Sequence, residues 1–191
     1  IGLFNSQGVA WNFATRENEV VNKSPPPLTA STKAHDVESL RGLPGPFIAF
    51  QHRTSRLDHL QNGRKTIETT LAPKEWDIIT FVPVRQAESE AVGRISWAPI
   101  GLADMMNSGG SILDATDVNQ DGKRPSTMIS TRGPGRFVAY CRPEPSQISL
   151  IDDPTAPTNL PYTYDSRTGA LSFVLPSERV GKPHRVQVAW E

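Results

Sequence analysis

The sequence holds one cysteine, Cys141, which excludes an internal disulfide and any zinc or iron–sulfur site built on several thiolates. It has no surplus of charge: 20 Lys and Arg stand against 20 Asp and Glu. Nucleic acid and polybasic membrane contacts both need a positive excess, so neither partner is expected. No apolar run approaches the ~20 residues that cross a bilayer as a helix. The four histidines, His35, His52, His59 and His184, form no i,i+4 helical pair and no HExxH arrangement, so no metal is expected on them. There is no Gly-x-Ser-x-Gly nucleophile motif, since Gly109-Gly-Ser-Ile fails its spacing. Long helices are absent too, as 17 Pro and 14 Gly break the chain too often.

What the sequence does have is alternation. Apolar residues recur with period two almost everywhere, as in strands with one buried face. Ile1–Asn5 and Gly8–Phe13 read as a first strand pair. Strands follow at Phe47–Arg53, Arg56–Leu60, Thr66–Leu71, Trp76–Val84, Arg94–Ala98, Ser111–Ala115 and Thr127–Thr131. Later ones lie at Arg136–Arg142, Gln147–Ile151, Tyr162–Tyr164, Leu171–Leu175 and Arg185–Trp190. Trp76–Val84 is the longest apolar strand and reads as central up to Pro83, which cannot donate to a ladder. Asp165–Gly169 carries a glycine where a hairpin turn needs positive φ, and Gly133-Pro-Gly135 reads as a second hairpin turn. Helical turns are expected only at Asp36–Leu40 and Ile100–Asn107, the latter ended by Ser108-Gly-Gly110. Lys23–Pro27 is a stiff connector and Asp152–Pro161 a proline-rich loop. The fold expected is all-β, an antiparallel β-sandwich with one or two short helical turns, over residues 1–191 as one domain.

Few residues nominate chemistry. Asp117-Val-Asn-Gln-Asp-Gly122 matches the opening of a calcium loop, with Asp117, Asn119 and Asp121 as ligands. Met128 stands where the closing bidentate acid belongs, and Lys123 and Arg124 repel a cation, so a polar turn is the favoured reading. His52 and His59 can be placed across a hairpin from one another, but no third ligand is nominated. Glu68, Glu75 and Asp77 are acids from which a glycosidase pair can be drawn, although sequence does not place two of them across a sugar. Trp11, Trp76, Trp97 and Trp190 sit in alternating strands, which favours core packing over exposed sugar platforms. Cys141 reads as a half-buried strand thiol rather than a nucleophile. A free thiol suits a reducing, cytoplasmic setting. The chain opens at Ile1 in a strand, without Met or signal peptide, as the interior of a longer polypeptide would. No cofactor is called for.

Three stretches together carry a family resemblance. Ile1-Gly-Leu-Phe-Asn-Ser-Gln-Gly-Val-Ala-Trp11 resembles the GVFNCQGAGW segment of the raffinose synthase and alkaline α-galactosidase group (seed imbibition proteins, glycoside hydrolase family 36). Leu28–Glu38 is similar to that group's LTGSVRAxDVE. Ile95–Gly110 is similar to ISFAPIGLxDMFNSGGA. The matching positions are Phe4, Asn5, Gln7, Gly8 and Trp11, then Asp36, Val37 and Glu38, then Pro99, Gly101, Leu102, Asp104, Asn107, Gly109 and Gly110. Ser6 replaces the usual Cys, and Trp97 stands where Phe is common.

The resemblance implies a C-terminal β-sandwich whose catalytic aspartates lie upstream on a (β/α)8 barrel, so no catalytic residue is carried over. It implies a parent enzyme acting on α-galactosides by a retaining double displacement, by transfer or by hydrolysis. The catalytic barrel is the implied partner, with α-galactoside oligosaccharides as candidate ligands, and the chain alone is expected to be inactive. Phe4, Gln7, Trp11, Asp104 and Asn107 are the candidates for a barrel interface or one wall of a sugar site. The alternative is a free-standing carbohydrate-binding module.

Overall fold

A computed structural model describes residues 1–118, 125–177 and 182–191. The fold is all-β and antiparallel, as the alternation predicts. Two five-stranded sheets form a sandwich. One has the order β16 (Tyr162–Asp165), β17 (Ala170–Leu175), β13 (Gly135–Arg142), β10 (Gly93–Leu102), β9 (Arg85–Ser89). The other runs β11 (Ile112–Ala115), β12 (Ser126–Arg132), β18 (Pro183–Ala189), β14 (Gln147–Leu150), β15 (Thr158–Asn159). Ile95, Trp97, Phe137, Cys141, Leu171 and Phe173 from the first meet Ile129, Ile148, Val186, Val188 and Trp190 from the second.

Further layers lie on the outer face of the first sheet. A four-stranded sheet, β1 (Gly2–Phe4), β8 (Trp76–Pro83), β5 (Phe47–Gln51), β6 (Arg56–Leu60), packs there through Ile48, Phe50, Ala98, Ile100, Val138 and Tyr140. Its far face packs Phe47, Ala49, Leu60, Ile79 and Phe81 against Ile67, which belongs to the ribbon of β4 (Leu28–Lys33) and β7 (Thr66–Leu71). Alternate side chains of β5 and of β13 thus serve different cores. Both strands are apolar at nearly every position, because neither has a face left for water.

A last ribbon, β2 (Val9–Asn12) with β3 (Glu17–Val20), pairs with no other described strand. The expected pairing of Ile1–Asn5 with Gly8–Phe13 is therefore not made: β1 pairs with β8, Phe4 opposite Trp76. β3 carries the sequence Glu-Asn-Glu-Val, whose polarity hid it from an apolar-period reading. Likewise Gly133-Pro-Gly135 is not a hairpin turn, since β12 and β13 lie in different sheets; it carries the chain across the sandwich. Asp165–Gly169 does close a hairpin, joining β16 to β17.

The expected helix at Ile100–Asn107 is replaced by a continuation of β10 to Leu102. A bulge between Pro99 and Gly101 reverses the alternation, so Ile95, Trp97 and Leu102 share one core while Ala98 and Ile100 share another. A one-residue offset does this wherever the side-chain period is two. After the bulge the chain folds back through a 3-10 turn, Ser108–Ser111. Of two more such turns, Ala34–Asp36 falls within the second stretch of resemblance and Glu38–Leu40 starts at its last residue.

Of the four tryptophans, Trp97 and Trp190 are in the core. Trp76 is half-buried and Trp11 is exposed, which corrects the core reading for both. Cys141 is fully buried rather than half-buried.

Candidate functional site

Most of the residues that carry the resemblance are used by the fold itself. Asn5 is buried; its Nδ2 donates to the Leu71 carbonyl at 2.9 Å, and its Oδ1 accepts from the Gln7 N–H at 3.1 Å. Gln7 Nε2 donates to the Pro26 carbonyl at 3.3 Å. Gly8 has φ +83°, and a Cβ there would stand 2.5 Å from the Asn22 carbonyl oxygen, so no other residue closes the base of the β2–β3 ribbon. Asp36 Oδ2 accepts from the Lys33 N–H at 3.0 Å, which sets the first 3-10 turn.

In the third stretch, Ser111 Oγ donates to the Ser108 carbonyl at 2.7 Å and accepts from the Leu102 N–H at 2.9 Å. Asn107 Oδ1 accepts from the Gly110 N–H at 3.2 Å. Asp104 accepts from Arg136 Nη2 at 3.3 Å, an exposed pair that contributes about 0–1 kcal/mol. Gln7 and Asn107 therefore hold loops, and Asp104 holds a weak surface pair.

Phe4 and Trp11 have no such employment. Phe4 is 73% exposed and Trp11 49%; Phe13, two residues beyond Trp11, is 86% exposed. Val9, paired opposite Val20 on the ribbon, is exposed with it. A two-stranded ribbon standing alone is marginal in water, and this one shows apolar side chains to solvent rather than a core.

A polar cleft of about 460 Å³ lies where the β5–β6 turn faces β7 and the start of β8. Asn5 ties the two regions together, through its N–H to the Glu75 carbonyl at 2.9 Å and its side chain to Leu71, both cleft residues. The floor is Gln51, Thr69 and Asp77, all buried. Gln51 Nε2 donates to Thr69 Oγ1 at 3.3 Å, and its Oε1 accepts from Thr54 Oγ1 at 3.1 Å. Asp77 Oδ1 accepts from the N–H groups of Arg53 at 3.1 Å and Ile78 at 2.8 Å.

The rim is fixed as well. Arg53 donates to the Trp76 carbonyl at 3.1 Å and to Glu75 Oε1 at 3.3 Å, with its guanidinium 5.9 Å from the Trp76 ring centroid. The Ala72 N–H, at 2.8 Å from Glu75 Oε2, is the first cause that holds the Glu75 carboxyl below its ordinary value, helped by Arg53. A carboxyl so held is a poor proton donor at neutral pH.

Glu68, Glu75 and Asp77, the acids named from the sequence, all line this cleft. Sequence reasoning missed Gln51, Arg53 and Thr69, whose convergence depends on how β5 stacks over β7. Among the described residues no cluster of three metal-ligating groups occurs. Asp117 is exposed and pairs with Arg85 at 3.2 Å, while Asn119 and Asp121 lie outside the described residues. His52 and His59 do not face one another: His59 is opposite Ile48 and close to Tyr140, and His52 stacks on Trp76 at 5.8 Å.

A family model described as raffinose synthase or seed imbibition protein Sip1 matches residues 1–175. Galactinol–sucrose galactosyltransferase of Oryza sativa subsp. japonica is 33% identical over 146 residues, covering 76% of this chain and 18% of that protein. Probable galactinol–sucrose galactosyltransferase 1 of Arabidopsis thaliana is 25% identical over 197 residues, 100% of this chain and 24% of that protein. Stachyose synthase of Pisum sativum is 27% identical over 157 residues, 78% of this chain and 17% of that protein. The chain spans about a fifth of the length of these relatives.

Proposed function

The chain belongs to the raffinose synthase or seed imbibition protein family, and from that premise we propose that it is a non-catalytic β-sandwich of an enzyme that acts on α-galactosides. Its work is to pack against the rest of that enzyme, where the resemblance puts the (β/α)8 barrel and its acids. The reading is supported by the matched relatives, whose names are those of galactosyl-transferring enzymes and whose remaining four-fifths lies outside this chain.

The observation that carries it is the apolar surface of the first eleven to twenty residues. Val9, Trp11, Phe13 and Val20 are exposed on or at the end of a ribbon that pairs with no other described strand, and Phe4 is exposed on β1. Large exposed apolar groups on a marginal ribbon call for a covering surface, and the remainder of the longer protein is the occupant to which we assign it. Phe4 and Trp11 are thereby interface residues, while Gln7 serves the interface by holding the base of the ribbon.

Hydrogen exchange tests this. The 191-residue chain is compared with the full-length gene product, following amides of β2 and β3. Marked slowing of exchange over Val9–Val20 in the longer protein is the expected result, together with galactosyl transfer or galactoside hydrolysis that the short chain lacks. Equal exchange in both proteins would overturn the docking assignment, and activity in the short chain would overturn the non-catalytic one.

A further inference from the structure

We propose that the cleft between β6 and the β16–β17 turn binds a phosphate group that keeps a proton, either the free ion or the end of a phosphomonoester. This goes beyond the docking role and does not rest on it. The cleft holds about 420 Å³, within the ~300–1,000 Å³ range of small-molecule sites. It is lined by Asp58 and His59 from β6, Tyr140 and Arg142 from β13, and Arg167 and Thr168 from the turn. Its walls are locked together. Gly169 has φ +75°, and a Cβ there would stand 2.6 Å from Tyr140 Cε2, so the turn is seated on the Tyr140 ring. Tyr140 is 4% exposed, and its ring centroid lies 5.6 Å from that of His59. Arg142 Nη2 donates to the Arg167 carbonyl at 2.7 Å, which fixes one arm of the guanidinium fork.

The charges select the ligand. Arg56 is paired with Asp58 at 2.7 Å, and Arg167 with Asp165 at 3.7 Å. Arg142 has no carboxylate partner among the described residues; its guanidinium meets the Arg167 carbonyl and the Tyr140 hydroxyl instead. His59 is kept from protonating chiefly by burial and next by that same guanidinium, the mark of a positive potential with no counterion. An anion is the missing group. Asp58 adds a second requirement. Its Oδ1 takes both bonds from Arg56, at 2.7 and 3.1 Å, and its Oδ2 is buried with no partner among the described residues. An ionised carboxylate only accepts, and a buried acceptor without a donor is costly. The ligand must therefore bring negative charge and an O–H together. Phosphate carries both, whereas sulfate is fully ionised and has no proton to give.

The test is an NMR titration of the 191-residue chain at about pH 6, near the second ionisation of a phosphomonoester. Sodium phosphate and methyl phosphate are added separately, following the His59 ring and the amides of Asp58, Arg142 and Thr168. Sodium sulfate and sodium chloride at matched ionic strength are the controls. A saturable shift with phosphate is expected, and a much weaker one with sulfate. Saturation by methyl phosphate as well assigns the site to an ester end, and by inorganic phosphate alone to the free ion. Phosphate should also raise the midpoint of the His59 titration above its value in chloride. Arg142→Gln should weaken binding about tenfold. Asp58→Asn supplies a donor of its own and should admit sulfate as well as phosphate; both variants are checked for folding by their own spectra.

No saturable shift with either phosphate would overturn the proposal. So would sulfate that saturates the parent chain equally well, an unmoved His59 midpoint, or an Arg142→Gln chain that binds as before. The two readings fail separately, since silence toward phosphate leaves the exchange behaviour of the β2–β3 ribbon untouched.

Discussion

Trp97 and Trp190 meet edge to face in the sandwich core, ring centroids 5.8 Å apart and planes at 78°, yet among the described residues only one of their indole N–H groups has an acceptor. Trp190 Nε1 donates to the Pro143 carbonyl at 3.0 Å. Trp97 Nε1 is buried with no partner among the described residues. An orphaned buried donor costs about 1–3 kcal/mol, and that penalty offsets part of the packing Trp97 supplies.

Replacing each tryptophan by phenylalanine should therefore give unequal results. Trp97→Phe removes the orphan and leaves a small cavity; it should lie within about 1 kcal/mol of the parent chain. Trp190→Phe leaves the same kind of cavity and strips Pro143 of its donor, so it should cost about 2–3 kcal/mol. Urea unfolding of both variants decides the order, and equal losses would mean that the Trp97 N–H is satisfied after all.

Gly101 gives the sharpest backbone prediction. Its φ is +114°, and a Cβ would stand 1.9 Å from the Ser108 carbonyl oxygen. Gly101→Ala should cost at least ~3 kcal/mol, from strain and from displacing the 3-10 turn that anchors Leu102. Gly93 also has positive φ, but no atom of the described residues lies within 4 Å of its would-be Cβ. Gly93→Ala should cost only ~1 kcal/mol. Denaturant midpoints that coincide would contradict the steric account.

Cys141 should be chemically silent in the native chain. Burial is the main cause that pushes its thiol far above the ordinary range, with Glu144 adding to it. Thiolate is the reactive form, so iodoacetamide at neutral pH should leave the folded chain unmodified. It should add once per molecule after unfolding, as intact mass would show. Rapid labelling of folded protein would place the thiol nearer water than the structure does.

Stability should rise with pH through two separate windows. His59 has a lowered value, chiefly through burial and then through Arg142. The unfolded chain therefore binds this proton more readily, and stability falls as pH drops below the ordinary value of 6.5. Glu75 is lowered by the Ala72 N–H and Arg53, so its contribution is full above its ordinary 4.5 and is lost on further acidification. His59→Gln should reduce the slope of the upper window alone and Glu75→Gln that of the lower one alone, where Asp165, held down first by the Thr168 hydroxyl and then by the Arg167 N–H, keeps a share. Urea midpoints from pH 3 to 8 read both, and variants that parallel the parent chain throughout would refute the assignment.

Period-two alternation located most strands because each strand's own residues report which faces are buried. It failed at β3, where Glu17 and Glu19 mark a ribbon with no buried face at all. It failed at Ile100–Leu102 because a bulge breaks the alternation from which strands are read. Trp11 looked like core for a related reason: alternation shows that a side chain lies on an apolar face, but not whether anything covers that face. Glu68, Glu75 and Asp77 were visible as acids, whereas their convergence with Gln51 and Thr69 depends on layer stacking, which no local spacing encodes.

The double duty of β5 and β13 has a thermodynamic corollary. Each strand is a shared wall, and if one core loosens, the same strand is left with a bare face on which the neighbouring core also depends. Adjacent layers therefore have little means of melting one at a time. A cavity cut at Phe50 or Val138 should be felt in the cores on either side of its strand, not only in the one that lost the atoms.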